Sequence, residues 1–215
     1  VNLIDGLDGL AAGISAIASI SLLVIFALVG ASMEVIVITL ALAGATIGFL
    51  PYNFNPAKTF MGDTGSNFLG FTLSTVSIMG MAKGYTVMAI ITPIIVCGVP
   101  VFDMLFAIVR RLIKRQKLTA PDKGHIHHRL LKHGFSQKQA VLIMYGLSAT
   151  FGMFAIILME SGIWKALSFA LIMVVIVAMG YKEFFKQRLL ATETAEDHDE
   201  FVEENAVGKL KNKKN

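Results

Sequence analysis

Residues 10–30 read LAAGISAIASISLLVIFALVG and carry no charge. An α-helix needs about 20 mainly apolar residues to cross the hydrocarbon core of a bilayer. The stretch therefore predicts a membrane helix. It does not read as a signal peptide, because no basic segment precedes it and further apolar runs follow. Working outward, five more stretches qualify: Val35–Leu50, Phe68–Ala82, Tyr85–Val109, Ala140–Met159 and Ile163–Tyr181. The expected fold is an all-α polytopic membrane protein with about six spans. Composition agrees. Of 215 residues, 55% are hydrophobic and 16% charged, and mean hydropathy is +0.68. An ordinary soluble domain carries about 25% charged residues. Cys97 is the only cysteine, so a disulfide scaffold is excluded. The chain opens on Val1 and enters a polar motif at once, which predicts that an N-terminal portion precedes it.

Two features inside the spans invite a structural reading. Gly44 and Gly48 have the spacing that lets membrane helices approach closely, although simple composition of an apolar run explains them equally well. Pro93, Gly98 and Pro100 fall in one span, which predicts a kink or break there.

Charge sets the expected orientation. With Asn2–Gly9 placed in the cytoplasm, residues 1–9, 51–67, 110–139 and 182–215 lie on that side. They hold 17 of the Lys and Arg residues, against Lys83 and Lys165 opposite. The positive-inside rule favours this placement. The net charge of +4 then reflects orientation at anionic lipid rather than nucleic-acid binding. The outer loops Gly30–Glu34, Lys83–Gly84 and Glu160–Gly162 are too short for a site. Residues 191–215 carry an acidic block and then a basic end, the pattern of a disordered cytoplasmic tail.

The motif-like sequence is all on the predicted cytoplasmic side. The first segment is NLIDGLDG, residues 2–9. Asp5 and Asp8 share a face at helical spacing. Such a pair can bind a divalent cation, accept hydrogen bonds from substrate or move a proton. Helix capping explains one of them, but explains both, with Asn2, less well. The spacing is not that of an EF-hand. The second segment is FNPAKTFMGDTGSN, residues 54–67. Its Gly-Asp-Thr-Gly-Ser run at a helix start exposes N–H groups to anions. Asp63 there suits magnesium, which takes one or two carboxylates plus phosphate oxygens. Lys58 can meet phosphate and Phe60 can stack on a base. An ordinary turn capped by Asp63 or Ser66 is the simpler alternative. The third segment is APDKGHIHHR, residues 120–129. His125, His127 and His128 can donate to phosphate, act as acid or base, or bind metal. No cysteine or fourth ligand supports zinc. Beside Lys123 and Arg129 they fit diphosphate recognition better, with a solvated basic loop as the alternative.

Asp103 is the one acid well inside a predicted span. Arg110 lies two helical turns further on, so a local pair is the plain reading. An intramembrane acid is otherwise a functional candidate.

Taken together, NLIDGLDGLAAG, NPAKTFMGDTGSNFLG and PDKGHIHHRLL resemble the polyprenyl-phosphate N-acetylhexosamine-1-phosphate transferase family. The HIHHR version resembles the branch that uses UDP-N-acetylglucosamine. In the muramoyl-pentapeptide branch three histidines run together, whereas Ile126 interrupts them here. The resemblance implies attack by undecaprenyl phosphate on the β-phosphorus of the UDP-sugar, with UMP leaving. It places the magnesium aspartate on Asp63 (manganese being the alternative ion) and the uracil-stacking aromatic on Phe60. The nucleotide-side residues fall on Asn2, Asp5 and Asp8, and the histidine motif on His125, His127, His128 and Arg129. The implied product starts teichoic acid or surface polysaccharide synthesis at the bacterial cell membrane, and a homodimer is allowed. A further Asp-Asp motif of the family has no counterpart here, and the family carries more spans than the six read above. The chain by itself is therefore expected to be inactive. A transporter or flippase is the rival reading. It would place polar groups near mid-span and show paired broken helices in a repeat, and only Asp103 fits. A membrane scaffold gives no reason for three polar motifs on one face.

Overall fold

The computed structural model describes residues 1–81, 86–113 and 125–176. The predicted loop Lys83–Gly84, the basic residues Lys114, Arg115, Lys117 and Lys123, and the tail 191–215 lie outside the described residues. Every element among the described residues is helical. A single 3-10 turn, Asn2–Ile4, precedes α1 (Leu10–Leu28), α2 (Met33–Asn53), α3 (Gly62–Met81), α4 (Thr86–Val96), α5 (Gly98–Ile113), α6 (Ile126–Lys132) and α7 (Gln137–Ser161). An apolar helix α8 covers Ile163–Ile176. Residues Val1–Leu167 form one compact unit and Ser168–Asn215 another. The site lies wholly in the first.

α1 is the centre of that unit. It is apolar on all sides, as a helix surrounded by others must be, and packs against α2, α3, α4 and α7. Small residues make this possible. A Cβ on Gly13 would collide with the Tyr145 ring of α7, and one on Gly152 of α7 would collide with the Ser21 hydroxyl of α1. Several buried hydroxyls are satisfied within their own helices: Ser19 donates to the Ser15 carbonyl at 2.7 Å and Thr39 to Val35 at 2.7 Å. This is how polar groups survive away from water. One apolar cluster joins Leu22, Ile25 and Phe26 to Leu42, Leu73, Val76 and Val96. A second ties Ile4 and Leu10 to Val99, Val141 and Met144, fixing the first motif against α5 and α7. α3 buries Ser66, Leu69, Leu73 and Val76 at helical spacing, while Phe68, Phe71 and Ile78 face outward.

Among the described residues three helices, α1, α2 and α7, are long and apolar enough to cross a membrane. The expected break also stands: α4 ends at Val96 and α5 starts at Gly98, with Cys97 between them. α3 differs from the predicted span by starting at Gly62, not Phe68. Polar residues 62–67 count against an apolar span but continue the same helix toward water.

The Gly44–Gly48 pair brings no helix close. Neither glycine has an atom within 4 Å of where a Cβ would stand. Gly13 and Gly152 are among the glycines that make close approaches instead. The substitution Gly13→Ala is therefore expected to cost about 1–3 kcal/mol by overpacking. Gly44→Ala is expected to be neutral or to stabilise by up to about 1 kcal/mol through helix propensity. Thermal unfolding in detergent reads the opposite signs.

Candidate active site

The three sequence motifs come together at one end of the helices. Asn2 opens the first. Its side-chain oxygen accepts from the Ser66 hydroxyl at 2.9 Å, which joins the first motif to the first turns of α3. Asp8 holds the second motif: its Oδ2 accepts from Asn55 Nδ2 at 2.9 Å and from the Ala57 N–H at 3.2 Å. Asn55 Nδ2 also donates to Gln137 Oε1 of α7 at 2.9 Å. Below this layer, buried Asn53 accepts from the Gly9 N–H at 3.2 Å and donates to the Thr59 carbonyl at 2.9 Å. Gly9 has a left-handed φ of 81° at the start of α1, a conformation glycine adopts without a Cβ penalty. Tyr145 donates to its carbonyl at 2.6 Å. The loop 54–61 is thus tied to α1 and α7 rather than left as a free turn.

Asp5 and Asp63 form the acidic part of the site. Asp63 is exposed in the first turn of α3. The Asp5 carboxyl is held above the usual carboxylate range, first by burial and then by the negative charge of Asp63. Two carboxylates that repel each other fit a divalent cation, whose charge relieves the repulsion. Among the described residues no group of three or more His, Cys, Asp or Glu is arranged to hold a metal. One or two carboxylates suit magnesium, which takes its other ligands from phosphate and water.

The third motif closes over the first. A Cβ on Gly6 would stand 2.8 Å from His127 Nε2, so glycine leaves the room that the ring needs. His127 is 2% exposed, and its Nδ1 is buried without a hydrogen-bond partner. Its ring lies 4.4 Å from that of His128 and 5.7 Å from that of His125, the latter nearly parallel at 5°. Burial above all, helped by His128, lowers the His127 pKa to about 4. His127 is therefore neutral at physiological pH. It offers one N–H and one lone pair, not the positive charge expected of a histidine in a basic diphosphate cluster.

A pH dependence follows from this. The unfolded ring has a pKa near 6.5, above the folded value, so the unfolded chain binds more protons between the two. His127 stabilises fully above about pH 6.5 and its contribution falls as pH drops toward 4. The melting temperature in detergent is expected to decline across that window, and less steeply in His127→Gln.

Asp103 has partners that sequence spacing did not indicate. It is 2% exposed. Its Oδ2 meets His125 Nδ1 at 2.8 Å and its Oδ1 accepts the Ile126 N–H at 2.8 Å. These two partners come from the third motif. Lys58, Phe60 and Arg129 are exposed. Lys58 lines a groove of about 590 Å³ with Ile47, Leu50, Pro51, Phe54, Asn55 and Pro56. Asn53, Asn55, Gln137 and Tyr145 are site-supporting residues that motif reading did not single out. A buried asparagine at the end of an apolar helix was the available signal for Asn53.

Residues 1–81 match the model of glycosyl transferase family 4. A Bacillus subtilis protein named as a probable undecaprenyl-phosphate N-acetylglucosaminyl 1-phosphate transferase is 48% identical over 175 residues. That alignment covers 81% of this chain and 49% of the relative. The chain belongs to glycosyl transferase family 4. The decaprenyl-phosphate N-acetylglucosaminephosphotransferase of Mycobacterium tuberculosis is 41% identical over 67% of this chain and 40% of its own length. A Clostridium beijerinckii phospho-N-acetylmuramoyl-pentapeptide-transferase is 37% identical over 69% of this chain and 44% of its own. The chain thus spans about half the length of the curated relatives it matches. The family match ends at Met81, so the histidine segment on α6 lies beyond the matched residues. Its hydrogen bond to Asp103 and its contact with Gly6 place it with them nonetheless. With its apolar helices and this family, the chain is a membrane protein.

Proposed function

We propose that the full-length protein transfers N-acetylglucosamine 1-phosphate from UDP-N-acetylglucosamine to undecaprenyl phosphate and releases UMP. The observation that carries this reading is the convergence of the three motifs: Asp5 against Asp63, and His127 over Gly6. The names of the relatives supply the substrate class. The interrupted histidine run favours the N-acetylglucosamine branch over the muramoyl-pentapeptide branch.

In the proposed reaction an oxygen of the lipid phosphate forms a bond to the β-phosphorus of the donor. The bond from that phosphorus to the oxygen bridging it to the α-phosphate breaks, and UMP departs with the electron pair. A phosphate dianion already holds the lone pair it needs, so no side chain must first remove a proton. Catalysis is then mainly positioning and charge neutralisation. Asp63, with Asp5 beside it, would hold magnesium, which neutralises diphosphate charge when bound. Asp8 and Asn2 are committed by one oxygen each to fixing the loops, which makes them positioning groups for the nucleotide side. Neutral His127 serves as a hydrogen-bonding group to phosphate, and exposed Arg129 and Lys58 supply positive charge. Phe60, 74% exposed, is free to stack on uracil. The groove lined by Lys58 and mainly apolar residues suits an amphiphilic substrate.

The membrane arrangement extends the same reading. α1, α2 and α7 cross the bilayer, as do α3, the broken pair α4–α5, and α8. The motif end faces the cytoplasm, where UDP-sugars are found, as the 17-to-2 distribution of Lys and Arg supports. The product would prime a teichoic acid or another surface polysaccharide. Mass spectrometry of the lipid fraction tests the reading. Full-length protein given undecaprenyl phosphate and UDP-N-acetylglucosamine should yield undecaprenyl diphosphate carrying one N-acetylglucosamine. Product only with a different sugar donor would refute the branch, and no lipid product with any donor would refute the reaction.

A further inference from the structure

Asp103 lies in α5, outside the three motifs, and is almost fully buried. A buried carboxylate needs partners, and the structure supplies two from one short stretch. Oδ1 accepts the backbone N–H of Ile126, the first residue of α6, and Oδ2 meets His125 Nδ1, each at 2.8 Å. His125, the residue preceding α6, provides no side-chain cap of its own. The cap comes from another helix, 23 residues earlier in the chain.

We infer that Asp103 is a positioning residue for the histidine segment, fixing the His125 ring with its proton on Nδ1 and its Nε2 toward ligand. This inference rests on the phosphotransfer reading above for its kinetic consequence, but not for the tautomer itself. A carboxylate that already accepts a backbone N–H is an acceptor toward the ring as well, so Nδ1 carries the hydrogen. In a neutral imidazole the other nitrogen, Nε2, is then the one with the lone pair. Second-sphere carboxylates set histidine tautomers in this way at other sites. The effect passes along the row of rings: His125 is nearly parallel to His127, which packs on His128. One carboxylate thereby sets both the start of α6 and the facing of the rings that it carries.

The substitution Asp103→Asn separates the two tasks. Its side-chain oxygen can still accept the Ile126 N–H, while its amide donates to Nδ1 and forces the hydrogen onto Nε2. The experiment uses full-length protein labelled with 15N-histidine, in detergent, at a pH where the rings are neutral. Imidazole correlation spectra should show His125 as the Nδ1–H tautomer in the wild type and Nε2–H in Asp103→Asn. An unchanged tautomer in the variant would overturn the inference even if activity fell. In UMP-release assays Asp103→Asn should lower kcat by about 10–100-fold, the usual cost of losing such an orienting partner, with KM for the donor little changed. In a His125→Ala background the same substitution should do nothing further. Additive losses, or full turnover by Asp103→Asn despite a switched tautomer, would each contradict the positioning role. If the wild type releases no UMP at all, the proposed reaction fails while the spectra still decide the Asp103–His125 pairing.

Discussion

Replacing Asp63 with alanine in the full-length protein should lower turnover by several kcal/mol of barrier, on the order of 1,000-fold. Asp63 is exposed and in the first turn of α3, so the fold has little need of it. Loss of a carboxylate at a helix N-terminus costs only about 0.3–1 kcal/mol. Its value lies in the charge that it places beside Asp5. The same substitution should therefore lower the Asp5 pKa, because one of the two causes that raise it disappears. Burial of Asp5 remains, so the fall should be partial. Carboxyl chemical shifts followed through an acid titration give this result independently of catalysis. Asp63→Ala with normal turnover at saturating magnesium would remove Asp63 from the metal role. An unmoved Asp5 titration would mean that the two carboxylates are not neighbours.

His127→Ala should produce the second large loss, about 100- to 1,000-fold in kcat if the ring donates to a phosphate oxygen in the transition state. The ring is buried, so alanine also leaves a cavity, which at a buried site costs about 2–5 kcal/mol of stability. Two companions separate these effects. His127→Gln keeps volume and an N–H, and should recover part of the rate. Gly6→Ala leaves the histidine in the sequence but puts a methyl group 2.8 Å from Nε2, too close for the ring to stay where it is. It should lower turnover by displacing the ring while α6 stays folded. If Gly6→Ala is fully active, the closure of the third motif over the first is wrong.

Much of the helical plan was legible from residue patterning. The uncharged run from Leu10 to Leu28 is long enough to leave little choice of structure. Pro93, Gly98 and Pro100 announced the break now seen at Cys97. Other features were not legible, for identifiable reasons. Hydropathy dates a helix from where it becomes apolar, so α3 was expected at Phe68 although the helix begins at Gly62. Spacing alone does not say which face of a helix is covered. Gly44 and Gly48 look like a contact motif yet face open space, while Gly13 and Gly152 make close approaches. Local periodicity offered Arg110 to Asp103. The structure adds His125 and the Ile126 N–H, beyond the end of α5, and no period connects these to Asp103. The motifs suggest a chemistry for the site, but their spacing carried no information on mutual geometry. That depends on buried ties such as Asn53 to Gly9 and Asp8 to Asn55, made by residues that capping or turn formation would equally explain.

The central claim is that these loops form one phosphotransfer site, not a transport path. It is tested most directly by measuring UMP release from UDP-N-acetylglucosamine by the full-length protein in vesicles. The account predicts release only when undecaprenyl phosphate and magnesium are both present, and near-complete loss with Asp63→Ala. Movement of substrate across the vesicle membrane with no UMP formed would contradict it.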